Sequence, residues 1–237
     1  MKKTTSILST ALLSTFASCA LAGQVTLFGA VDLGVKVQKS KGHDTVVSLD
    51  SGTYAGSRWG LTGREEINSD LSVSFLLESG FDADTGASKG KLFNRGSLLR
   101  LESKTFGTLA FGRTSAFTSA SGEYGWMWQV DPFEGAYLDA GIQASQFNMW
   151  GWRDNVILYL SPKIANWEIG LQYSLSGDDG ANEAGDNGPW HDSDHYWNAA
   201  ARYKTEKINF VMGAEGMDYG SKSPWHGDAK PFTAKFG

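Results

Sequence analysis

The sequence predicts an all-β fold, a transmembrane up-and-down β-barrel of antiparallel strands. Polar and apolar residues alternate with a period of two over long segments, and short and long polar connections alternate between those segments. No uncharged apolar run reaches the about 18 residues typical of a membrane-spanning helix. Because only helices and closed barrels satisfy every backbone group in lipid, a membrane-embedded form of this chain must be a barrel.

The N-terminus has the layout of a secretory signal peptide. Lys2 and Lys3 precede an apolar stretch from Ile7 to Ala17, and the small-residue site Ala20-Leu21-Ala22 follows. The apolar stretch is shorter than the about 20 residues of a spanning helix. We therefore expect residues 1–22 to be removed on export, which leaves a domain of residues 23–237.

The single cysteine, Cys19, lies within this predicted signal, so we expect no disulfide in the exported domain. Lipoprotein processing at Cys19 is an alternative, but Phe16 stands where leucine is usual. Loss of Lys2 and Lys3 makes the net charge two units more negative than −5. An acidic domain does not favour nucleic acid as a partner, because phosphate binding needs a basic surface.

The segment from Val25 to Val37 carries the clearest strand pattern. One side of it holds Val25, Leu27, Gly29, Val31, Leu33, Val35 and Val37, and the other is mostly polar. Soluble strands usually have about 5–6 residues, whereas a tilted strand needs about 9–11 to cross a bilayer. The length of this alternation therefore favours a membrane strand.

The same alternation recurs along the chain and predicts about nine strands, with a tenth at Phe232–Phe236. It places Val31, Leu33, Leu171 and Phe210 on the outer side and Asp32, Gln172 and Asn209 on the inner side. The register stays open over 93–114 and 153–162. Within the second of these segments, apolar Val156, Leu158 and Leu160 stand where inward polar residues are expected.

The predicted connections alternate in length, which is typical of outer-membrane barrels. Tight turns are expected near Ile67, Thr105, Ala165 and Glu206, and long polar loops near 38–56, 81–92, 114–152 and 176–194. A soluble β-sandwich also alternates, but its core does not need apolar faces this long. Nor does it need aromatic residues near strand ends, as found at Trp59, Phe81, Trp167, Tyr173, Trp197 and Tyr203.

Several short motifs, in order, resemble those of Gram-negative general-diffusion porins of the beta-proteobacterial type. They are Val25-Thr26-Leu27-Phe28-Gly29 with Val31-Asp32, Gly56-Ser57-Arg58-Trp59-Gly60-Leu61, Leu77-Glu78-Ser79-Gly80-Phe81 with Asp84-Thr85-Gly86, Leu92-Phe93-Asn94-Arg95, Phe106-Gly107-Thr108-Leu109 with Phe111-Gly112-Arg113, Asp131-Pro132-Phe133, and Arg153-Asp154-Asn155 with Tyr159-Leu160-Ser161-Pro162.

The resemblance implies a sixteen-stranded barrel in the bacterial outer membrane, a homotrimer, and a third long loop folded into the lumen. Nine or ten strands are too few for that barrel, and Phe236 is followed by Gly237 where the family's last strand ends in Phe. We therefore expect residues 23–237 to form a partial porin domain that lacks the C-terminal strands.

Charged side chains at the narrowest point of a pore determine which ions pass. Alternation places Arg58 and Glu78 inward, since a charge facing lipid costs about 2–4 kcal/mol near the midplane. The resemblance adds Arg95 and Arg153, and the third loop offers Glu123 or Asp131 as the opposing carboxylate. The alternative for Arg95 and Arg153 is a position on the solvated rim.

The third loop is rich in tryptophan, with Trp126, Trp128, Trp150 and Trp152. Such residues most often pin a loop to its neighbours by packing. A stacking surface for sugars or aromatic solutes is the alternative, since indole combines an apolar face with a polar handle.

These features predict a water-filled channel for passive diffusion of small hydrophilic solutes and ions, with a preference for anions. No cofactor, metal site or catalytic activity is expected: His191 and His195 lie in an acidic loop, and no nucleophile elbow or phosphate-binding loop is present. The alternative is an outer-membrane barrel whose surface loops act as an adhesin or enzyme.

Overall fold

The computed structural model of the chain describes residues 24–119, 121–130, 151–176, 190–223, 225–228 and 232–236. Within these ranges the chain forms thirteen β-strands and two short 3₁₀ turns. The strands are β1 (Val25–Ala30), β2 (Leu33–Gln38), β3 (Val46–Ser51), β4 (Arg58–Glu66), β5 (Leu71–Asp82), β6 (Ala87–Ser88), β7 (Gly96–Ser103), β8 (Gly107–Ser115), β9 (Trp152–Leu160), β10 (Trp167–Ser174), β11 (His195–Lys204), β12 (Asn209–Asp218) and β13 (Phe232–Phe236).

One antiparallel sheet contains most of these strands, in the order β1-β4-β5-β7-β8-β9-β10-β11-β12-β13. Short β6 pairs with the end of β5, and β2 and β3 form a separate hairpin. Each strand pairs with the next large strand along the chain, as in an up-and-down barrel. The predicted strand at Phe232–Phe236 is confirmed as β13, paired with β12. Among the described residues, no helix has the length and hydropathy of a membrane span.

The first predicted strand is interrupted, and the first predicted loop is shorter than expected. The chain breaks between β1 and β2 because the Asp32 carboxylate accepts hydrogen bonds from Thr53 Oγ1 and from the amides of Tyr54 and Ala55, at 2.6–2.9 Å. The ladder therefore opens at this point. After this interruption the chain forms the separate β2–β3 hairpin, and β3 occupies part of the predicted loop 38–56.

The tight turns predicted near Ile67, Thr105, Ala165 and Glu206 are confirmed, and all lie at the same end of the sheet. Each is ordered by local chemistry. Thr205 Oγ1, for example, accepts the amide of Ile208 at 3.0 Å, and Ala165 and Asn166 adopt positive φ angles of 48° and 72°. The strand ends that border the predicted long loops lie at the opposite end.

The outer face of the sheet is apolar and exposed. Leu171 is 48% exposed, Val31 and Leu33 are exposed as predicted, and Phe210 lies on the same side against the ring of Trp167. Similar exposure is found at Trp59, Leu99, Leu101, Leu109, Phe111, Ile157, Tyr159, Trp167, Ile169, Trp197 and Met212. An apolar surface of this extent marks a face that is covered by something other than water.

Aromatic side chains border this outer face at both ends. Near the tight turns, the Trp167 and Tyr203 rings are 5.2 Å apart. Near the long loops, Trp59 contacts Phe93 and Trp197 contacts Phe232, with ring centroids 6.4 and 5.9 Å apart. This is the arrangement expected of residues at the two membrane–water interfaces.

The inner face is polar and is partly covered by the chain itself. Residues 116–119 and 121–130, which we call the inner loop, pack on it. Gln172 and Asn209 point inward as predicted, and each donates to a backbone carbonyl, of Ser115 and Gln129 respectively, at 2.8 and 3.0 Å. Inward side chains elsewhere on this face include Ser72, Ser74, Arg100, Ser174 and Asn198.

The inner loop explains the apolar residues of β9 that the alternation left unexplained. Val156 and Leu158 do face inward, and Leu158 has 0% exposure. They belong to a buried cluster with the loop residues Phe117, Trp126 and Met127. The rest of the cluster is supplied by Leu98, Ala110, Tyr124, Ala200 and Val211. An apolar patch on the inner wall is therefore the floor on which the loop rests.

A change of register near the start of β9 explains why strict alternation did not fix the direction of Arg153. The β8–β9 ladder shifts between Gly112 and Thr114, and Asn155 takes a φ of 52°. Arg153 and Val156, three residues apart, are consequently buried on the same side of the sheet.

Candidate pore constriction

The inner loop is held against the wall by hydrogen bonds as well as by apolar packing. Arg202 Nη1 donates to Gln129 Oε1 at 3.0 Å, and the Gln129 carbonyl accepts from Asn209. Within the loop, Trp126 N donates to the Phe117 carbonyl and Met127 N to that of Ser119, at 2.9 and 3.2 Å. The loop therefore narrows the space bounded by the inner face.

Arg58 and Arg95 converge on the half of the inner face that is nearer the long loops. Arg58 Nη1 donates to the Gly56 carbonyl at 3.0 Å, and Arg95 Nη1 lies 3.1 Å from the position that a Cβ on the same glycine would occupy. The Arg95 stem crosses Gly80, which is the register partner of Arg58. Both glycines make room for the Arg95 side chain, and the two guanidinium groups reach the same region.

Glu78 is the carboxylate at this point, and it forms an ion pair with Arg95. Among the described residues, no carboxylate pairs with Arg58. The guanidinium of Arg95 also lies over the Trp152 ring, 5.3 Å from its centroid, which fixes its direction.

A second basic pair lies beside the first and was not singled out from the sequence. Arg113 and Lys91 both form ion pairs with Asp154, the former at 2.7 Å, and Arg113 Nε donates to the Asn94 carbonyl. Together with Arg58, Arg95 and Glu78 they form what we call the upper cluster. It contains four basic and two acidic side chains, so its local charge is positive.

The lower cluster lies nearer the tight turns and is more nearly balanced. Arg100 pairs with Glu123 of the inner loop. Arg64 pairs with Glu66 at 2.8 Å and also with Glu102, whose other oxygen accepts from Ser74 at 3.2 Å. This cluster has two basic and three acidic members, so its contribution is weakly negative.

Glu123 was predicted as the carboxylate opposite the arginines, and the structure pairs it with Arg100 rather than with Arg58 or Arg95. Its side chain remains 42% exposed. Asp131, the other candidate, lies outside the described residues. Arg100 itself stands between the outward-facing Leu99 and Leu101, an alternation from which its inward direction can be read.

Arg153 was predicted to line the constriction, and the structure buries it, with only 2% exposure, next to side chains that bind the inner loop. Its guanidinium stacks on the Tyr196 ring, 4.8 Å from the centroid. Tyr196 Oη and Thr118 Oγ1 both donate to Glu215 Oε2 at 2.6 Å, and Asn198 donates to the Thr118 hydroxyl at 2.9 Å. A covered side chain does not meet a passing solute directly, so its position favours a role in holding the loop.

The predicted tryptophan group is divided between packing and exposure. Trp126 is buried between Phe117 and the guanidinium of Arg202, which lies 4.7 Å from its ring centroid. Trp152 is half-buried beneath Arg95, and Trp128 is exposed. Trp150 lies outside the described residues. Phe117 and the guanidinium of Arg202 therefore already occupy the faces of Trp126, and Trp128 is the most accessible of the three described.

Comparison with known proteins identifies the family. The family model for Gram-negative porins matches residues 9–235. The chain belongs to the Gram-negative porin family. It is 34% identical over 197 residues to an outer membrane porin protein of Bordetella pertussis, and the matched region covers 76% of this chain and 49% of the relative. It is 32% identical over 180 residues to outer membrane porin protein 32 of Delftia acidovorans, covering 74% and 50%.

The porin fold is also found in solved structures. An anion-selective porin from Comamonas acidovorans matches with a TM-score of 0.55 and 24% identity, covering 90% of this chain and 67% of that one. Because the chain belongs to the Gram-negative porins, its apolar outer face is the lipid-facing side of an outer-membrane barrel and its inner face is the interior side. The chain spans about half the length of the curated relatives that it matches.

Proposed function

We propose that this porin forms a water-filled channel for passive diffusion of small hydrophilic solutes and ions, and that it prefers anions. The observation that carries the proposal is the contrast between the two faces of the sheet. The outer face is apolar and suits lipid, whereas the inner face is polar and borders a space that the inner loop narrows. Liposome swelling with sugars of increasing size tests the channel. A hydrolase assay on the same preparation tests the alternative of an enzyme.

The preference for anions rests on the upper cluster, despite the negative net charge of the chain. Four basic groups face two carboxylates there, and Arg58 pairs with neither. Charges at a narrow point act on an ion at short range with little intervening water. Carboxylates more than about 8 Å away are screened at physiological salt. The solved relative described as anion-selective has the same fold, which is consistent with this proposal.

Reversal potentials in planar bilayers under a salt gradient test the assignment of charge. Arg58→Ser and Arg95→Ser should each move the reversal potential toward cation preference, and the double variant should move it furthest. Lys207→Ser removes the same charge from an exposed turn and is the matched control. The preference should weaken in 1 M salt, where the screening length is about 3 Å. Cation preference in the unchanged protein would contradict the assignment.

We further propose assembly as a homotrimer, as the family resemblance implies. The β2–β3 hairpin presents Leu33, Val35, Val37, Val47 and Leu49 on one exposed side, which is apolar surface available to lipid or to another subunit. Analytical ultracentrifugation in detergent would distinguish a monomer from a trimer.

A further inference from the structure

Three adjacent rows of residues across β10, β11 and β12 match successive parts of the inner loop. The strand register aligns Gln172, Asn198 and Glu215 in one row, Gly170, Ala200 and Gly213 in the next, and Glu168, Arg202 and Val211 in the third. The first row binds Thr118 of the loop, and also Ser115 at the end of β8, through hydrogen bonds, and Arg202 of the third row binds Gln129. The middle row contains only small residues.

The middle row lies directly beneath two side chains of the inner loop. A Cβ atom built on Gly170 would stand 2.4 Å from the Phe117 ring, and one on Gly213 would stand 2.8 Å from the Thr118 methyl group. Both distances are shorter than any packed carbon contact allows. The absence of side chains at these two positions forms a depression that the loop fills.

Neither loop residue has an easy way to move aside. The Phe117 ring is fully buried, with the Trp126 and Tyr124 rings 4.5 and 5.8 Å away. Thr118 is held by hydrogen bonds to Glu215 and from Asn198, at 2.6 and 2.9 Å. An added methyl group in such a packed site must displace the loop rather than one side-chain end.

We propose that Gly170 and Gly213 are positioning residues that fix the inner loop against the wall and thereby set the cross-section of the channel. The inference rests on the proposed function for its effect on conductance, but the position of the loop can be measured independently. The depression is occupied by this chain's own loop, so no external ligand is involved.

The test follows the accessibility of a thiol placed in the loop. Ser119 is buried and differs from cysteine by one atom, so Ser119→Cys in a Cys19→Ser background reports whether the loop leaves the wall. Adding Gly170→Ala or Gly213→Ala should raise the rate of modification by a charged methanethiosulfonate reagent about tenfold or more. Single-channel conductance should fall, because the loop is pushed toward the lumen.

Gly96→Ala is the matched control. Gly96 also faces inward, but the atoms nearest to an added Cβ there belong to the flexible end of Leu76, at 3.3 Å, and to Glu78, at 3.8 Å, rather than to the inner loop. If the Gly170→Ala and Gly213→Ala variants both react with the thiol reagent no faster than the Gly96→Ala variant, the proposal is overturned, whatever their conductance. A wild-type chain that conducts no ions would instead contradict the proposed function, while leaving the thiol assay readable.

A rescue variant covers the case in which Gly170→Ala does not fold. Phe117→Leu shortens the side chain that meets the new methyl group, so Phe117→Leu with Gly170→Ala should fold and should protect the thiol about as well as Phe117→Leu alone. Circular dichroism in detergent checks folding. If the double variant also fails while Phe117→Leu alone folds, the clash with Phe117 is not what Gly170 avoids, and the proposal fails.

Discussion

Single side chains order the tight-turn end of the barrel. Asn68 Oδ1 accepts the amides of Asp70 and Leu71 at 2.9 and 2.8 Å, which closes the β4–β5 turn. Asp70 then links this turn to the neighbouring one. It accepts hydrogen bonds from Ser103 Oγ and Thr105 Oγ1 at 2.7 and 2.8 Å, and from the Thr105 amide at 3.0 Å.

These bonds make Asp70 an acid-sensitive contact. The hydroxyl groups of Ser103 and Thr105 favour the carboxylate and hold the pKa of Asp70 below its ordinary value. A lowered folded-state pKa stabilises the fold above the ordinary carboxyl range, and this stabilisation is lost as the pH falls through the folded-state pKa.

Asp70→Asn should therefore lower the urea midpoint of unfolding at pH 7, and the difference from wild type should shrink steadily below about pH 4, where carboxylates begin to protonate. Glu206→Gln, in another exposed turn, serves as the control and should leave the midpoint unchanged. A difference that stays constant down to pH 2 would show that the charge of Asp70 is not what stabilises the turn.

For single residues, the sequence predicted the direction of a side chain better than the contacts that it makes. The inward direction of Arg58 follows from the alternation in β4, and the structure agrees. The burial of Arg153 could not be predicted, because it depends on the irregular backbone at Asn155 and on contact with Tyr196, which lies far along the chain in β11. Arg113 and Lys91 were missed because their common partner, Asp154, lies far along the chain in β9.

At the scale of elements, the inner loop and the wall of β7–β12 form one packed unit. The loop contributes Phe117, Trp126 and Met127, and the wall contributes a floor that includes Leu158 and Val211. Long-range packing of this kind leaves only an indirect trace in the sequence, as apolar residues at inward positions. That trace was present in β9 and was unexplained until the loop's position was known.

Leu158→Ala tests the contribution of this floor. Removing a fully buried leucine should destabilise the chain by about 2–5 kcal/mol, because the cavity forms beneath a loop that already fits closely. The loop should also become more mobile, which is measured as increased noise in the open-channel current.

Leu171→Ala removes the same atoms from the neighbouring strand, but on the outer face. It should leave the current noise at the wild-type level, whatever its effect on stability in lipid. Equal noise in the two variants would contradict the assignment of Leu158 to the seat of the loop.

At the scale of the whole molecule, the chain is apolar outside and polar inside. The apolar residues, which are scattered along the sequence, are gathered on the outer face of the sheet, so a chain of acidic net charge still presents an apolar surface to lipid. The alternation and the alternating loop lengths were sufficient to predict it, since both follow from local geometry. The interruption at Asp32 and the shift near Gly112 were not predictable in this way. The first depends on contacts of Asp32 with the segment between β3 and β4, and the second depends on the pairing of β8 with β9.

Labelling of alternate residues tests this central claim most directly. A solvent-sensitive fluorophore is attached to single cysteines in a Cys19→Ser background, at Leu61 and Leu171 on the outer face and at Thr62 and Lys204 on the inner face. In vesicles, the first two labels should be quenched by lipids with brominated acyl chains, and the last two by a water-soluble quencher. Quenching of the Thr62 and Lys204 labels by brominated lipid, with protection of Leu61 and Leu171, would contradict the account.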